Sequence, residues 1–168
     1  MKKIGIFYGS STGATEEVAT KIGEALAIDS SDVKNISDAS VADFADYDVL
    51  LLGSSTWGDG DLQDDWMDVE DDLKSVDLSG KVVALFGLGD AGSFGDSFCG
   101  GMGQLYNLLS DSKAEFVGAT DPDGYDFGDS PSLIDGKFVG LPLDEANEYD
   151  LTDERIAAWL ERIKPAFN

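Results

Sequence analysis

The sequence predicts an α/β fold: one doubly wound domain, a five-stranded parallel sheet with helices on both faces. Three observations predict it. Tyr47–Leu52 and Val82–Phe86 are near-continuous apolar runs, as strands buried on both faces require. Between such runs apolar residues recur at helical spacing: Val18, Ile22 and Leu26, then Leu62, Trp66, Val69, Leu73 and Val76, then Met102, Leu105 and Leu109. Strand and helix alternate along the chain, the pattern of parallel βαβ units.

The elements follow in order. Ile4–Tyr8 reads as the first strand, and a helix runs from about Gly13 to Ala27. Asp32–Ile36 is a weaker strand, suited to a sheet edge. The run ending at Leu52 leads into a glycine-rich loop, and the helix carrying Leu62 to Val76 follows. Val82–Phe86 ends in Gly87-Leu88-Gly89-Asp90, and Glu115–Ala119 is a further strand. Thr152 is placed to cap a last helix. Asp153 and Glu154 fill its first turn, where negative charge suits the dipole, and Ile156, Trp159, Leu160 and Ile163 form its inner face.

The 168 residues suffice for one domain with a full core. No apolar run reaches the length of a membrane span, and the run after Met1-Lys2-Lys3 is too short for a signal peptide. A cytoplasmic protein is expected. Cys99 is the only cysteine, so no internal disulfide forms. With 11 basic and 34 acidic residues the net charge is -23, which argues against nucleic acid or an anionic membrane as partner. The absence of histidine removes the commonest general base and metal ligand.

Ligands of such sheets bind beyond the carboxyl ends of the strands. Three loops lie there and look unlike structural turns. The first is Ser10, Ser11, Thr12, Gly13, Ala14 and Thr15, feeding a helix N-terminus where free N–H groups and the dipole favour an anion. It lacks the glycine-lysine phosphate loop and the Gly-x-Gly-x-x-Gly fingerprint. It offers four hydroxyls and no cation; hydrogen bonds to a charged group contribute about 1.5–3 kcal/mol each. The plainer reading is a strand–helix turn with a hydroxyl cap. The second loop carries Ser55, Thr56, Trp57, Gly58, Asp59 and Gly60, with a Trp at its tip that needs something flat to cover. The third runs from Gly89 and Asp90 through Phe94 and Phe98 to Cys99. Its two aromatics face the same crevice or plug the loop into the core; for Phe98 both readings are open. Together the loops describe a site for a flat ring with a phosphorylated tail.

In these loops the chain resembles the flavodoxin family, and its long-chain type. Ile6-Phe7-Tyr8-Gly9-Ser10-Ser11-Thr12-Gly13-Ala14-Thr15 is similar to the family's phosphate loop, and Thr56–Leu62 and Gly87–Phe98 are similar to its two flavin loops. Gly124-Tyr125-Asp126-Phe127, Gly136–Leu141 and Leu151-Thr152-Asp153 are similar to the long-chain tail. The resemblance covers residues 1–168 as one domain. It implies strand order 2-1-3-4-5, of which flavodoxin is itself an instance, and an insertion at about 120–139 interrupting the last strand.

It also implies non-covalent FMN and a low-potential one-electron carrier, not an enzyme, cycling between semiquinone and hydroquinone. By position Ser10 to Thr15 would hold the phosphate and Thr56 would reach the ribityl chain. Trp57 and Phe94 would sandwich the ring, and the backbone of Asp90 and Cys99 would bond its pyrimidine edge. Gly58 suits a peptide flip that accepts the flavin N5 proton. Asp59, Asp61, Asp90 and Asp96 would hold down the second potential. Three residues depart from the family pattern: Phe94 stands for a usual Tyr, Ala14 for Lys or Asn, and Ala146 for an acid near the ribityl chain. The partners implied are basic-surfaced redox proteins, a flavin reductase and other oxidoreductase donors and acceptors, met by a monomer. The acids from Asp59 to Asp72 are either a solvated helix face or a docking surface.

Two other functions fit such a fold. An FMN-dependent NAD(P)H:quinone reductase needs a nicotinamide site, and no basic residue is placed for its second phosphate. A phosphoacceptor domain needs acids where Tyr8-Gly9-Ser10 and Ser54-Ser55 stand.

Overall fold

The computed structural model describes residues 2–10, 12–57, 60–93 and 95–167. In chain order the elements are β1 (Ile4–Gly9), α1 (Ala14–Ala25), β2 (Val33–Asn35), β3 (Val49–Ser54), β4 (Thr56–Trp57), β5 (Asp61–Leu62), α2 (Asp64–Met67) and α3 (Glu70–Ser75). Then come β6 (Val82–Leu88), α4 (Gly100–Leu108), β7 (Glu115–Val117), β8 (Leu133–Ile134), β9 (Lys137–Phe138), β10 (Leu141–Leu143) and α5 (Thr152–Ile163). The main sheet runs β2-β1-β3-β6-β10, all parallel, as the fold class requires. β2 is the edge strand expected near Asp32–Ile36.

The last position of the sheet is shared. β7 pairs with Val82–Ala84 of β6, and β10 pairs with Phe86–Leu88. Residues 118–140 leave the sheet edge between them and return, carrying the antiparallel β8–β9 pair. An interruption of the last strand is thus present.

Strand side chains alternate between two cores, because successive residues point to opposite faces. Phe7, Leu50, Leu52, Val83 and Leu85 meet Trp66, Leu73, Met102 and Leu105 of α2, α3 and α4. Ile6, Val49, Leu51, Val82, Ala84 and Phe86 meet Val18 and Ile22 of α1 and Trp159, Leu160 and Ile163 of α5. Burial on both faces explains why β3 and β6 are apolar without alternation.

Three expectations are corrected. The stretch from Leu62 to Val76 is not one helix. Leu62 belongs to a hairpin in which Thr56 pairs with Leu62 and Trp57 with Asp61. Beyond it α2 and α3 are separate, with Val69 at the N-cap of α3. One helix would carry Asp64, Asp65, Asp68, Glu70, Asp71 and Asp72 with Lys74 as sole cation; a second N-terminus sets the last three acids against a dipole that favours them. At the last helix Leu151 holds the N-cap position without a side-chain cap, and Thr152 is the buried first residue of α5. β7 ends two residues earlier than read, and α1 starts one residue later and ends two earlier.

Candidate functional site

Beyond the carboxyl ends of β1, β3 and β6 lies a crevice of about 380 Å³. Thr12 and Ala14 of the first loop, Ser55, Thr56 and Trp57 of the second, and Gly89, Asp90 and Cys99 of the third line it. Three loops read separately from the sequence therefore meet at one place.

The first loop is not a hydroxyl-capped turn. The N-cap of α1 is Gly13, at φ 94°, a left-handed conformation that costs glycine little. No cap bond comes from its side chain, and Ser10 Oγ accepts from the N–H of Gly13 itself at 3.0 Å. The first helical bond is that of Glu17 N–H to Gly13 O at 3.0 Å, so the N–H groups of Ala14, Thr15 and Glu16 have no partner in the helix. Thr15 is 1% exposed, and among the described residues its Oγ1 has no hydrogen-bond partner. A buried orphan hydroxyl is costly unless a ligand completes it. Among the described residues none that lines the crevice is basic.

The second loop aims Trp57. Its indole N–H donates to Ser55 Oγ at 3.1 Å, and the ring stays 42% exposed at the crevice mouth. Thr56 Oγ1 accepts from Gly101 N–H at 3.0 Å, in the first turn of α4, which leaves its own proton to donate. Gly60 is buried in the turn of this hairpin, facing Pro131, Ser97 and Gly100, rather than in the crevice wall.

The third loop is tied from two sides. Asp90 accepts from Ser93 N–H at 2.9 Å and from the Asn147 amide at 2.8 Å. The Asn147 bond, and then the Ser93 bond, hold the Asp90 carboxyl below the ordinary range. Asn147 also donates to the buried Asp144 at 3.0 Å, and Asp144 accepts from Ala91 N–H at 3.3 Å. Cys99 is buried, with φ 54°, and sits at the N-cap of α4. Among the described residues none accepts from its N–H. A side chain at Gly89 would meet Cys99 N at 2.6 Å, so only glycine lets these backbones line one wall. Burial pushes the Cys99 thiol well above its usual range and leaves it inert as a nucleophile.

Phe98 does not enter the crevice. It is 1% exposed and packs against Tyr125, Phe127 and Phe138, with ring centroids 5.7–6.1 Å away. The core reading of Phe98 is the one observed. Ser11, Gly58, Asp59 and Phe94 lie outside the described residues. Three lining residues were not singled out from the sequence, Leu88, Ser97 and Glu145, and a fourth, Ala146, was noted there only as a departure from the family pattern. Leu88 ends β6, and Glu145 and Ala146 follow β10, so the strand-end rule extended to a fourth loop would have found them. Burial, then the neighbouring Glu17 and Asp153, raise the Glu145 carboxyl above the usual glutamate range.

The fold and these four strand ends define a doubly wound protein built to hold a flat group with an anionic tail. The family model described as Flavodoxin matches residues 6–159. The chain is 45% identical to the flavodoxin of a Nostoc species over 166 residues, spanning 99% of this chain and 98% of that one. It is 46% identical to flavodoxin 1 of Azotobacter vinelandii over 172 residues, spanning 99% and 98%. The crystal structure of Fusobacterium nucleatum flavodoxin bound to flavin mononucleotide superposes with a TM-score of 0.90 at 36% identity, covering all of both chains. The chain belongs to the flavodoxin family.

Proposed function

We infer that this chain binds FMN and works as a one-electron carrier between redox proteins rather than as an enzyme. Bound FMN would supply a ring that takes up and releases electrons one at a time. The residues present suit it. Thr12, Thr15 and the free N–H groups of α1 offer a cradle for a phosphate; Thr56 has a proton to donate; Trp57 offers a flat cover; Cys99 N–H is left for an acceptor on the ring edge. Trp57 limits water at the ring while leaving an edge open for transfer. Asp90 and Glu145 line the crevice and Asp144 is tied to Asp90 through Asn147, with no lining cation among the described residues, which disfavours added negative charge and keeps the carrier reducing.

The observation that carries this reading is the buried, unpartnered hydroxyl of Thr15 in a loop without cations. Titration with FMN and with riboflavin tests it. FMN should bind far more tightly; equal affinity would sink the phosphate assignment. We further propose the long-chain form, one domain over residues 1–168 with 118–140 as its inserted segment, and a monomer. No helix among the described residues is long and apolar enough to cross a membrane. The proposed partners are redox proteins with basic surfaces, because the exposed acids Asp61 and Asp64 border the Trp57 edge. The reductase alternative is not favoured, since the relatives at this coverage are flavodoxins.

A further inference from the structure

In the first turn of α4 a side chain from elsewhere in the chain takes the place of one helical bond, and Cys99 O keeps only the tighter backbone bond from Met102 N–H, at 3.1 Å. In a regular helix Gly103 N–H would donate to Cys99 O. Here Gly103 N–H donates to Ser132 Oγ at 2.7 Å, and Ser132 Oγ–H donates to Cys99 O at 2.6 Å. The serine hydroxyl replaces one helical bond with a two-bond relay, and Ser132 is fully buried. A side chain at Gly103 would meet Pro131 O at 2.6 Å, so glycine is what admits the segment so close.

Further bonds fix Ser132 in place. Ser130 Oγ accepts from Ser132 N–H at 3.0 Å and donates to Phe98 O. Phe98 N–H donates to Asp129 O at 3.3 Å, and the N–H groups of Gly128 and Asp129 both reach Gly95 O, at 2.8 and 2.9 Å. The 118–140 segment thus grips the third loop along its length and reaches the carbonyl of Cys99, a crevice-lining residue in left-handed conformation whose N–H has no acceptor among the described residues.

We propose that Ser132 is a positioning residue for the flavin. By holding the Cys99 carbonyl it helps keep Cys99 in its left-handed conformation, and that conformation sets where the preceding peptide, which carries the Cys99 N–H and is held at Phe98 O by Ser130, faces the ring edge. The inserted segment would then act on the cofactor without touching it. This rests on the FMN reading above and goes beyond it, since it assigns electron affinity of the ring to a hydroxyl on the far side of the loop.

Ser132→Ala removes both bonds and lets Gly103 close directly on Cys99. The test compares FMN, riboflavin and lumiflavin binding in the full chain, the two one-electron potentials of the FMN-loaded protein, and amide exchange at Gly103 and Cys99 in the flavin-free chain. Affinity for all three flavins should fall by the same factor, about tenfold, which is what one hydrogen bond of middling strength supplies. The second potential should fall, because an N–H that favours electron density on the ring edge has turned away. Gly103 exchange should slow as its direct helical bond forms. Unchanged ring affinity and potentials, with stability alone reduced, would overturn the proposal and leave the segment a brace. If Ser132→Ala does not fold, Ser132→Cys, nearly isosteric but a weak donor and acceptor, decides on the same readouts. Failure of the FMN reading itself would look different: the unaltered chain would not distinguish FMN from riboflavin.

Discussion

At Thr15 the proposed anion binding and folding compete. Its hydroxyl is buried with no described partner, so the flavin-free fold carries a cost that a phosphate oxygen removes. Thr15→Val keeps the shape and deletes the donor. FMN affinity should drop roughly 10- to 100-fold, the range for one hydrogen bond to a charged group, while riboflavin affinity stays as it was. The same change should raise the stability of the flavin-free chain, which urea midpoints would register. Glu145 acts in the opposite sense. Its carboxyl is raised, first by burial and then by Glu17 and Asp153, although the Thr152 hydroxyl and Lys21 pull it back. A raised carboxyl favours the native state fully below the ordinary glutamate pKa of ~4.3, and that contribution is lost as pH rises through the folded value. Glu145→Gln should therefore be the more stable protein near pH 8, and the gap should close near pH 4. Because Glu145 shares the crevice with Thr12 and Ala14, the substitution should also tighten FMN relative to riboflavin at the higher pH. A constant gap across pH in paired urea titrations would refute the role given to its charge.

Among the elements, the buried strands were legible and the short ones were not. β3 and β6 announce themselves as unbroken apolar runs, and α5 by Ile156, Trp159, Leu160 and Ile163 at helical spacing. β4 and β5 have two residues each, too few for any period, so Leu62 read as the start of a helix. The break between α2 and α3 leaves Trp66 and Leu73 on the same core, which is why apolar spacing alone could not reveal it. Of the site, the hydroxyl loop, Trp57 and the Gly89–Cys99 loop were readable because each follows a strand end. The Asp90–Asn147–Asp144 tie and the Ser132 relay were not, since their partners lie 57 and 33 residues apart and only the fold brings them together. The interrupted last strand has an energetic consequence. Phe138 of β9 is fully buried against Phe98, Tyr125 and Phe127, so the inserted segment shares the main core rather than riding on it. Phe138→Ala should cost about 3–5 kcal/mol, a large part of the whole stability of a domain this size. Urea unfolding followed by Trp fluorescence should show the entire transition moving. A shift confined to a minor early phase would mean that the segment folds as a separate appendage.

The whole molecule is a strongly negative body, net -23, and among the described residues it exposes two large aromatics, Trp57 and Tyr149, of which only Trp57 lines the crevice. Trp57 belongs to two hollows. It lines the crevice, and it also lines a neighbouring depression of about 320 Å³ with Asp61, Asp64 and Met67, the last 49% exposed. An apolar patch rimmed by acids beside the proposed point of electron exit suits a partner that offers cations around an apolar contact. The two parts of this surface act over different distances. Met67 and Trp57 work only in contact, whereas Asp61 and Asp64 reach through solvent as far as the ionic atmosphere allows. That reach shortens from about 30 Å at 0.01 M salt to about 8 Å at 0.15 M. Asp65 is a poor probe of it, because its carboxylate is bonded to the Gln63 amide at 2.9 Å and a substitution would disturb the start of α2. Asp61 and Asp64 are exposed and clean. Changing both to Asn should slow electron transfer with a basic redox partner several-fold at low salt, within the range that electrostatic steering covers. The deficit should fade as salt rises, because the two charges will already be screened in the unaltered protein. Met67→Ala should instead lower the rate by a factor that salt does not change. Stopped-flow rates at a series of ionic strengths separate the two outcomes. If neither salt nor the Asn pair alters the rate, the acidic face serves solubility alone and the partner must approach from elsewhere.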